Sequence, residues 1–137
     1  IAARLGLARS LPWHNVLSAA TTVALGDKIL SKPADNNQAM AMLRELAGKT
    51  HDVHTAIAMT DGNVIEVALS SSRVSFGALS EEEIKAYVMT GESLDKAGGY
   101  AIQGRAAAFI SRLEGSYSGV MGLPLYETAK MVQRFVR

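Results

Sequence analysis

Residues 94–104 are the stretch of this chain whose side chains are best suited to chemistry. They hold one acid, one base, one amide and three glycines within eleven residues, without helical or strand periodicity. Asp95, Lys96 and Gln103 could each contact a polar ligand, and the adjacent glycines allow positive φ angles or a close approach of the backbone to that ligand. A solvated loop whose charges face water is the alternative, because loops hold both turns and binding sites.

The order of residues in this loop resembles a family signature. Leu-Asp-Lys-Ala-Gly at 94–98, followed by Ile-Gln-Gly at 102–104, is similar to the signature of the Maf family of nucleoside triphosphate pyrophosphatases. Further blocks that keep the family's order and approximate spacing lie at 30–33, 46–51, 53–55, 114–117 and 120–125. The resemblance extends from about residue 16 to the C-terminus, and the loop resembles the branch of the family that acts on dTTP and UTP.

The resemblance implies a reaction. It is the hydrolysis of a pyrimidine nucleoside triphosphate between the α and β phosphates, which releases a monophosphate and pyrophosphate. Such chemistry requires a base for the attacking water, positive charge for the phosphates and a pocket that distinguishes the nucleobase, and it usually uses a divalent metal. The cofactor implied by the resemblance is therefore a divalent metal, Mg²⁺.

Several residues match functional positions of the family. Lys32 matches a lysine that faces phosphate, for which its compact charge is suited. Gln103 matches a glutamine linked with base selection, since an amide both donates and accepts hydrogen bonds. Thr21 matches the threonine that follows the catalytic aspartate. Residue types alone would equally fit a surface lysine, a loop-capping amide and a strand threonine. For Asp95 and Lys96, ligand contacts and a mutual ion pair that holds the loop both stay open.

One catalytic position departs from the family pattern. The family's Gly-Ala-Asp-Thr block is Ser-Ala-Ala-Thr at 18–21 in this chain, so Ala20 stands at the position of the general base. A methyl group cannot accept a proton. The nearest match to the family's upstream Arg-Glu-Lys-Ala-like helix, residues 4–8, lacks the lysine, and the family's Ser-Pro-Arg-Arg segment is absent. We therefore expect an N-terminally truncated and impaired pyrophosphatase.

Two alternatives follow from the same departure. The chain could be a catalytically silent remnant that acts as a nucleotide-binding or protein-interaction module. It could also be part of a longer reading frame, in which case the absent residues exist upstream and the DNA before residue 1 would contain them.

The composition limits the classes of protein to consider. The 137 residues predict a single domain over 1–137, and 48% apolar with 20% charged residues are typical of an ordinary core. A net charge of +1 gives no reason to expect nucleic acid or an anionic membrane as partner. The chain has no cysteine, which fits a reducing cytoplasm. No apolar run approaches the ~20 residues that span a bilayer.

Strands are predicted from β-branched runs and from alternation of apolar and polar residues. The predicted strands are 16–25, 28–30, 51–60, 64–69, 74–76 and 106–113. Turns follow at Gly-Asp 26–27 and Asp-Gly 61–62, and the serines at 70–72 are interpreted as a bulge or a mobile point. His51 and His54 are three apart on a strand, so their side chains should point to opposite faces, which argues against a shared metal.

Helices are predicted from caps and from apolar residues at helical spacing. The predicted helices are residues 1–11, a segment from Asp35 to Gly48, a segment from Ser80 to Gly91 and a segment after Pro124. Capping boxes are expected between Asp35 and Gln38 and between Ser80 and Glu83. The apolar side expected of the last helix is Leu125, Thr128, Ala129, Val132 and Val136.

These elements predict an α/β fold with a mixed twisted sheet, antiparallel hairpins and flanking helices. The resemblance implies a Maf-like, inosine-triphosphatase-like fold in which the N-terminal strand and helix are missing. A sheet without its first strand exposes apolar surface and an unpaired edge, which invites aggregation or pairing with another chain. A homodimer is therefore the expected assembly, with a nucleoside triphosphate as the small-molecule partner.

Overall fold

Residues 15–135, which the computed structural model describes, form five strands and four α-helices. The strands are β1 (Val16–Leu25), β2 (Lys28–Leu30), β3 (Thr50–Thr60), β4 (Ile65–Phe76) and β5 (Ile110–Glu114). The helices are α1 (Asn36–Leu46), α2 (Glu81–Val88), α3 (Tyr117–Met121) and α4 (Leu125–Phe135). Two short 3-10 helices, Ala97–Gly99 and Arg105–Phe109, lie between α2 and β5.

The strands form one sheet in the order β2-β1-β3-β4-β5. β1 pairs with β3 over most of its length, with Thr21 opposite Thr55 and Val23 opposite Val53. β2 pairs with β1 only from Val23 to Leu25, so the outer edge of β1 before Val23 has no strand partner in the described part of the chain. The predicted α/β fold with antiparallel hairpins and flanking helices is confirmed. The described sheet is antiparallel rather than mixed, because all described strand pairs are antiparallel.

The apolar core lies on one face of this sheet, which we call the core face. Alternate residues of β3 point to it because successive side chains of a strand alternate, and Val53 and Ile57 are 2% and 0% exposed. The residues that join this face to α1 and α2 include Val23, Val53, Val74, Leu43, Leu46, Ile84, Tyr87 and Val88. Met131 of α4 packs on the same face in a second cluster with Ile57 and Met59.

The two strand histidines lie on opposite faces of the sheet, as their spacing predicts. His51 is buried on the core face with 1% of its surface exposed. His54 is half-buried on the other face, where its Nδ1 lies 2.8 Å from Ser71 Oγ.

Two predictions about strands are wrong in detail. The serines at 70–72 neither bulge nor interrupt β4, because each of them pairs in register with β3. The irregularity lies at Ser75 and Phe76, opposite β5. The predicted strand 106–113 begins only at Ile110, after the 3-10 helix Arg105–Phe109. Residues 106–108 are alanines, which lack the β-branched side chains that favour strands.

Helices α1 and α2 begin at the N-cap residues that the sequence predicts, Asp35 and Ser80. Asp35 accepts the backbone N–H of Gln38 at 2.8 Å, but the Gln38 amide accepts the N–H of Ala34 rather than that of Asp35, so the box around α1 is incomplete. The box between Ser80 and Glu83 is complete, because each side chain accepts the backbone N–H of the other residue.

The predicted apolar side of the last helix is confirmed in part. Thr128 is buried, and Val132 packs half-buried against the second cluster. Leu125 is 60% exposed and Ala129 is also exposed, and the buried Met131 was not predicted. The predicted helix over 1–11 and the predicted contact of Val136 lie outside the described residues. Within residues 15–135, no helix has the length and apolar character required to cross a membrane.

Candidate functional site

A cleft of about 480 Å³ lies against β1, between the loop that follows α2 and the helix α3. Its lining comes from β1, β3, the segment after β2, the loop and α3. The structure places all of the site residues predicted from the sequence on this cleft, and they are Ala20, Thr21, Lys32, Asp95, Lys96 and Gln103. Three separate stretches of the chain therefore meet at one place.

The part of β1 that lines the cleft is the open edge of the sheet. Ala19, Ala20 and Thr21 all line it, although neighbouring residues of a strand point to opposite faces. Because β2 does not extend to this part of β1, the cleft reaches around the edge of the strand. Ala20 is exposed there. The position that the family resemblance assigns to the general base thus lines the cleft as an alanine, which has no group that accepts a proton.

Backbone in the left-handed region folds the loop after α2 onto the sheet. Asp95 and Gly98 have φ angles of 65° and 75°, and the N–H of Gly98 donates to the carbonyl oxygen of Ser31 at 3.2 Å. A β-carbon at Gly98 would lie 3.0 Å from Val23 Cγ1. Glycine is therefore required at this position both for its φ angle and for the close approach of the loop to β1.

The charged groups of the cleft include two lysines and one carboxylate. Lys32 Nζ lies 3.3 Å from Asp95 Oδ1, and the two side chains are 66% and 83% exposed. The alternative in which Asp95 pairs with Lys96 is thus not the arrangement observed. An exposed ion pair contributes only ~0–1 kcal/mol to stability, so Lys32 can leave Asp95 for an anionic ligand at small cost. Lys96 lines the same cleft.

Gln103 lies on a segment that α2 and the residues after it hold in place. Tyr87 Oη accepts the N–H of Ala101 at 3.1 Å, and Glu92 accepts the N–H of Arg105 at 3.0 Å. Burial raises the pKa of Tyr87, so that its phenol remains protonated. Gln103 itself is exposed on the cleft, where its amide can donate and accept hydrogen bonds at the same time.

Tyr100 forms a wall of the cleft that sequence reasoning did not identify. Its ring packs edge-on against Phe76 and His51 at centroid distances of 4.9 and 5.4 Å, and its Oη lies 2.6 Å from His51 Nε2. Burial lowers the pKa of His51 to about 4, although the charge of Asp52 acts in the opposite direction. Burial also raises the pKa of Tyr100. Both groups are therefore neutral near pH 7.

The opposite wall is α3, which a hydrogen bond attaches to the sheet. Thr55 Oγ1 donates to the carbonyl oxygen of Gly119 at 2.6 Å and lies 3.0 Å from Thr21 Oγ1. Val120 and Met121 of α3 line the cleft. Sequence reasoning did not assign them to the site, although the family-like block that begins at Val120 was a signal that could have done so.

The described residues do not form a protein site for a metal. Among residues 15–135, no group of three or more histidine, cysteine, aspartate or glutamate side chains is placed to hold a metal ion. Of the described residues that line the cleft, Asp95 is the only carboxylate, and it pairs with Lys32. Mg²⁺ is typically held by one or two carboxylates together with substrate phosphates. A magnesium ion at this cleft would therefore depend on the phosphates for most of its ligands.

Comparison with known proteins agrees with the resemblance carried by the loop. A family model described as "Maf-like protein" matches residues 2–135. Proteins named dTTP/UTP pyrophosphatase from Aromatoleum aromaticum, Albidiferax ferrireducens and Methylobacillus flagellatus are 52%, 54% and 56% identical to this chain over 93%, 93% and 86% of its length. The chain spans 62%, 64% and 59% of the length of these relatives. Because the family model matches nearly the whole chain, this chain belongs to the Maf-like protein family.

Proposed function

We propose that this chain binds dTTP or UTP in the cleft, and that the activity associated with it is hydrolysis of the triphosphate to a monophosphate and pyrophosphate. The observation that carries the proposal is the meeting of Ala20, Thr21, Lys32, Asp95, Lys96 and Gln103 on one cleft. Relatives named dTTP/UTP pyrophosphatase support both the reaction and the choice of a pyrimidine.

The two lysines are suited to the triphosphate and Gln103 to the base. Lysine ammonium groups are compact positive charges that donate hydrogen bonds to phosphate oxygens. In this proposal Lys32 exchanges its exposed contact with Asp95 for a phosphate when the nucleotide enters. Uracil and thymine each present carbonyl acceptors next to an N–H donor, and the amide of Gln103 can pair with both kinds of group.

Ala20 makes hydrolysis by this chain slow in our proposal. A positioned general base contributes ~10²–10⁴ to a rate, and the methyl group of Ala20 cannot take a proton from water. Asp95, the only carboxylate among the described lining residues, is engaged with Lys32. We therefore expect the chain to bind the nucleotide and to hydrolyse it slowly.

We expect Mg²⁺ to enter as a complex with the triphosphate, whose charge it partly neutralises. The residues in the described part of the chain do not offer a cluster of metal ligands of their own. A reducing cytoplasm, which the lack of cysteine suits, and a homodimer, which the open edge of β1 in the described chain suits, remain predictions.

Pyrophosphate release from dTTP and UTP tests the proposal. It is measured with Mg²⁺ for the unmodified chain, for Ala20→Asp and for the matched control Ala20→Asn, which has the same shape without a base. Ala20→Asp should release pyrophosphate at least ~100-fold faster than Ala20→Asn. If no protein in the series binds or cleaves either nucleotide, the proposal is wrong.

The second candidate function is a nucleotide-binding or protein-interaction module without catalysis, and Ala20 is the observation that favours it. This candidate predicts saturable binding of dTTP with no turnover in the unmodified chain. Lys32→Ala provides the background rate for comparison. Release of pyrophosphate by the unmodified chain above that background would exclude the candidate.

A further inference from the structure

Thr55 is a buried residue whose hydroxyl joins β1 to α3. Its side chain is 0% exposed, and its Oγ1 lies 2.6 Å from the carbonyl oxygen of Gly119 and 3.0 Å from Oγ1 of Thr21. A carbonyl oxygen only accepts hydrogen bonds, and a threonine hydroxyl has a single proton. Thr55 therefore donates its proton to Gly119, and the bond between the two threonines must be donated by Thr21.

The direction of these hydrogen bonds determines what Thr21 can offer to a ligand. Its proton is directed at Thr55, so only lone pairs of Oγ1 remain for a further partner. Thr21 lines the cleft. Gly122 lies close to its hydroxyl, and a β-carbon at Gly122 would lie 3.6 Å from Thr21 Oγ1. Because residue 122 is glycine, that position is empty. Thr21 is therefore an acceptor, whereas Lys32 and Lys96 on the same cleft are donors only.

A phosphate group does not suit Thr21, because ionised phosphate oxygens are also acceptors. The hydroxyl of a sugar and the N–H of uracil or thymine are donors and do suit it. We infer that Thr21 accepts a hydrogen bond from an O–H or N–H of the bound nucleoside, and that Thr55 is the positioning residue that keeps Thr21 an acceptor. The inference rests on the proposed nucleotide-binding function.

Isothermal titration calorimetry with three uncleavable nucleotides tests the inference. The probes are the α,β-methylene analogue of dTTP, its 3′-deoxy form, which lacks the sugar hydroxyl, and its N3-methyl form, which lacks the base N–H. Each is titrated into the unmodified chain and into Thr21→Val, which keeps the shape of the side chain. The unmodified chain should bind one of the two altered nucleotides more weakly than the parent. In Thr21→Val this loss of affinity should be about tenfold smaller, because the acceptor for that group is already absent.

Two controls separate this effect from a general loss of structure. Thr21→Ser retains the hydroxyl and should discriminate among the probes as the unmodified chain does. Thr22→Val alters the neighbouring threonine, whose side chain points to the other face of β1, and should leave the discrimination unchanged. Should Thr21→Val not fold, Thr21→Ala is titrated in its place.

Substitutions of Thr55 test its positioning role. In Thr55→Val the hydroxyl of Thr21 is no longer committed to donating, so it can turn towards either kind of partner, and the ratio of affinities for the parent and the altered nucleotide should fall towards one. Thr55→Ser restores the hydroxyl and should restore the ratio. If Thr55 had only a structural role, its substitution would weaken the binding of all three nucleotides by the same factor and leave the ratio of affinities unchanged.

The outcomes distinguish this inference from the proposed function. If the unmodified chain binds none of the probes, the proposed function is wrong and the inference is wrong with it. If the chain binds the parent probe but Thr21→Val weakens all three nucleotides by the same factor, or none of them, the proposed function stands and the inference alone is wrong.

Discussion

Burial of His51 should make this protein less stable in mildly acidic solution. The pKa of His51 is lowered to about 4 in the folded chain by burial, whereas an unperturbed histidine has a pKa of about 6.5. Above pH 6.5 the imidazole is neutral in both states. Between pH 6.5 and pH 4 the unfolded chain binds a proton that the folded chain excludes. The free energy of unfolding should therefore fall by about 1.4 kcal/mol per pH unit, and by about 3 kcal/mol in total.

The structure explains why this proton is excluded. His51 is 1% exposed, its Nε2 is engaged with Tyr100 Oη at 2.6 Å, and its Nδ1 is buried without a hydrogen-bond partner among the described residues. An imidazolium carries an N–H donor at both ring nitrogens, and the described chain supplies no acceptor at Nδ1. Below pH 4 the folded state also binds the proton, and the loss of stability should level off.

Urea unfolding followed by circular dichroism, at intervals from pH 4.5 to 7.5, measures this dependence. The comparison is between the unmodified chain and His51→Gln, because carboxylates titrate in both proteins and cancel in the difference. The unmodified chain should lose about 2–3 kcal/mol more than His51→Gln over this range. His54→Gln, which alters a half-buried histidine on the other face of the sheet, is the matched control. Parallel curves for the unmodified chain and His51→Gln would refute the reasoning.

Two further substitutions test the cleft and its loop. Lys32→Ala should weaken binding of Mg–dTTP by about tenfold or more in calorimetry, because a charged hydrogen bond is lost. The control is Lys28→Ala, since the exposed Lys28 pairs outside the cleft with Glu45. Equal weakening by both substitutions would contradict a specific phosphate contact of Lys32. Gly98→Ala should lower the urea midpoint more than Gly91→Ala. Both glycines have positive φ, but only at Gly98 would the new methyl group meet a neighbour, Val23, at 3.0 Å; equal losses in the two variants would show that this contact does not matter.

Local signals in the sequence were sufficient for much of the fold. The alternation in β3 predicted which residues are buried, because successive strand residues face opposite sides. The box between Ser80 and Glu83 predicted the start of α2, since both of its hydrogen bonds lie within one turn. The strand predicted over 106–113 fails at its beginning because a short apolar run is ambiguous, and Ala106 is buried in the core as part of a 3-10 helix.

The apolar side of α4 shows the same limit at the level of packing. Spacing alone was compatible with a face that includes Leu125 and Ala129 besides Thr128, yet the helix buries Met131 together with Thr128 and leaves the other two residues exposed. The contact of Met131 with Ile57 and its neighbours in the core decides this rotation. Such a contact joins residues far apart in the chain, so the helical period by itself does not specify it.

The site residues were predicted from the order of short motifs, and residue types alone left a binding loop and a plain loop open. The resemblance predicted that Lys32 and Gln103 belong to one site, and both line the cleft. It did not indicate that Lys32 rather than Lys96 pairs with Asp95, or that Tyr100 forms a wall. Those features arise from how the loop folds onto β1 and β2.

The residue order of this chain was enough to specify its family, its main strands and helices, and the absence of a base at Ala20, because these depend on side-chain chemistry and local spacing. Whether Thr21 donates or accepts a hydrogen bond in the cleft is determined only in the folded protein. Thr21 is an acceptor only because Thr55, 34 positions away in the chain, lies 3.0 Å from it and donates its own proton to Gly119. A hydroxyl can donate or accept, and the groups that meet it in space determine which of the two it does.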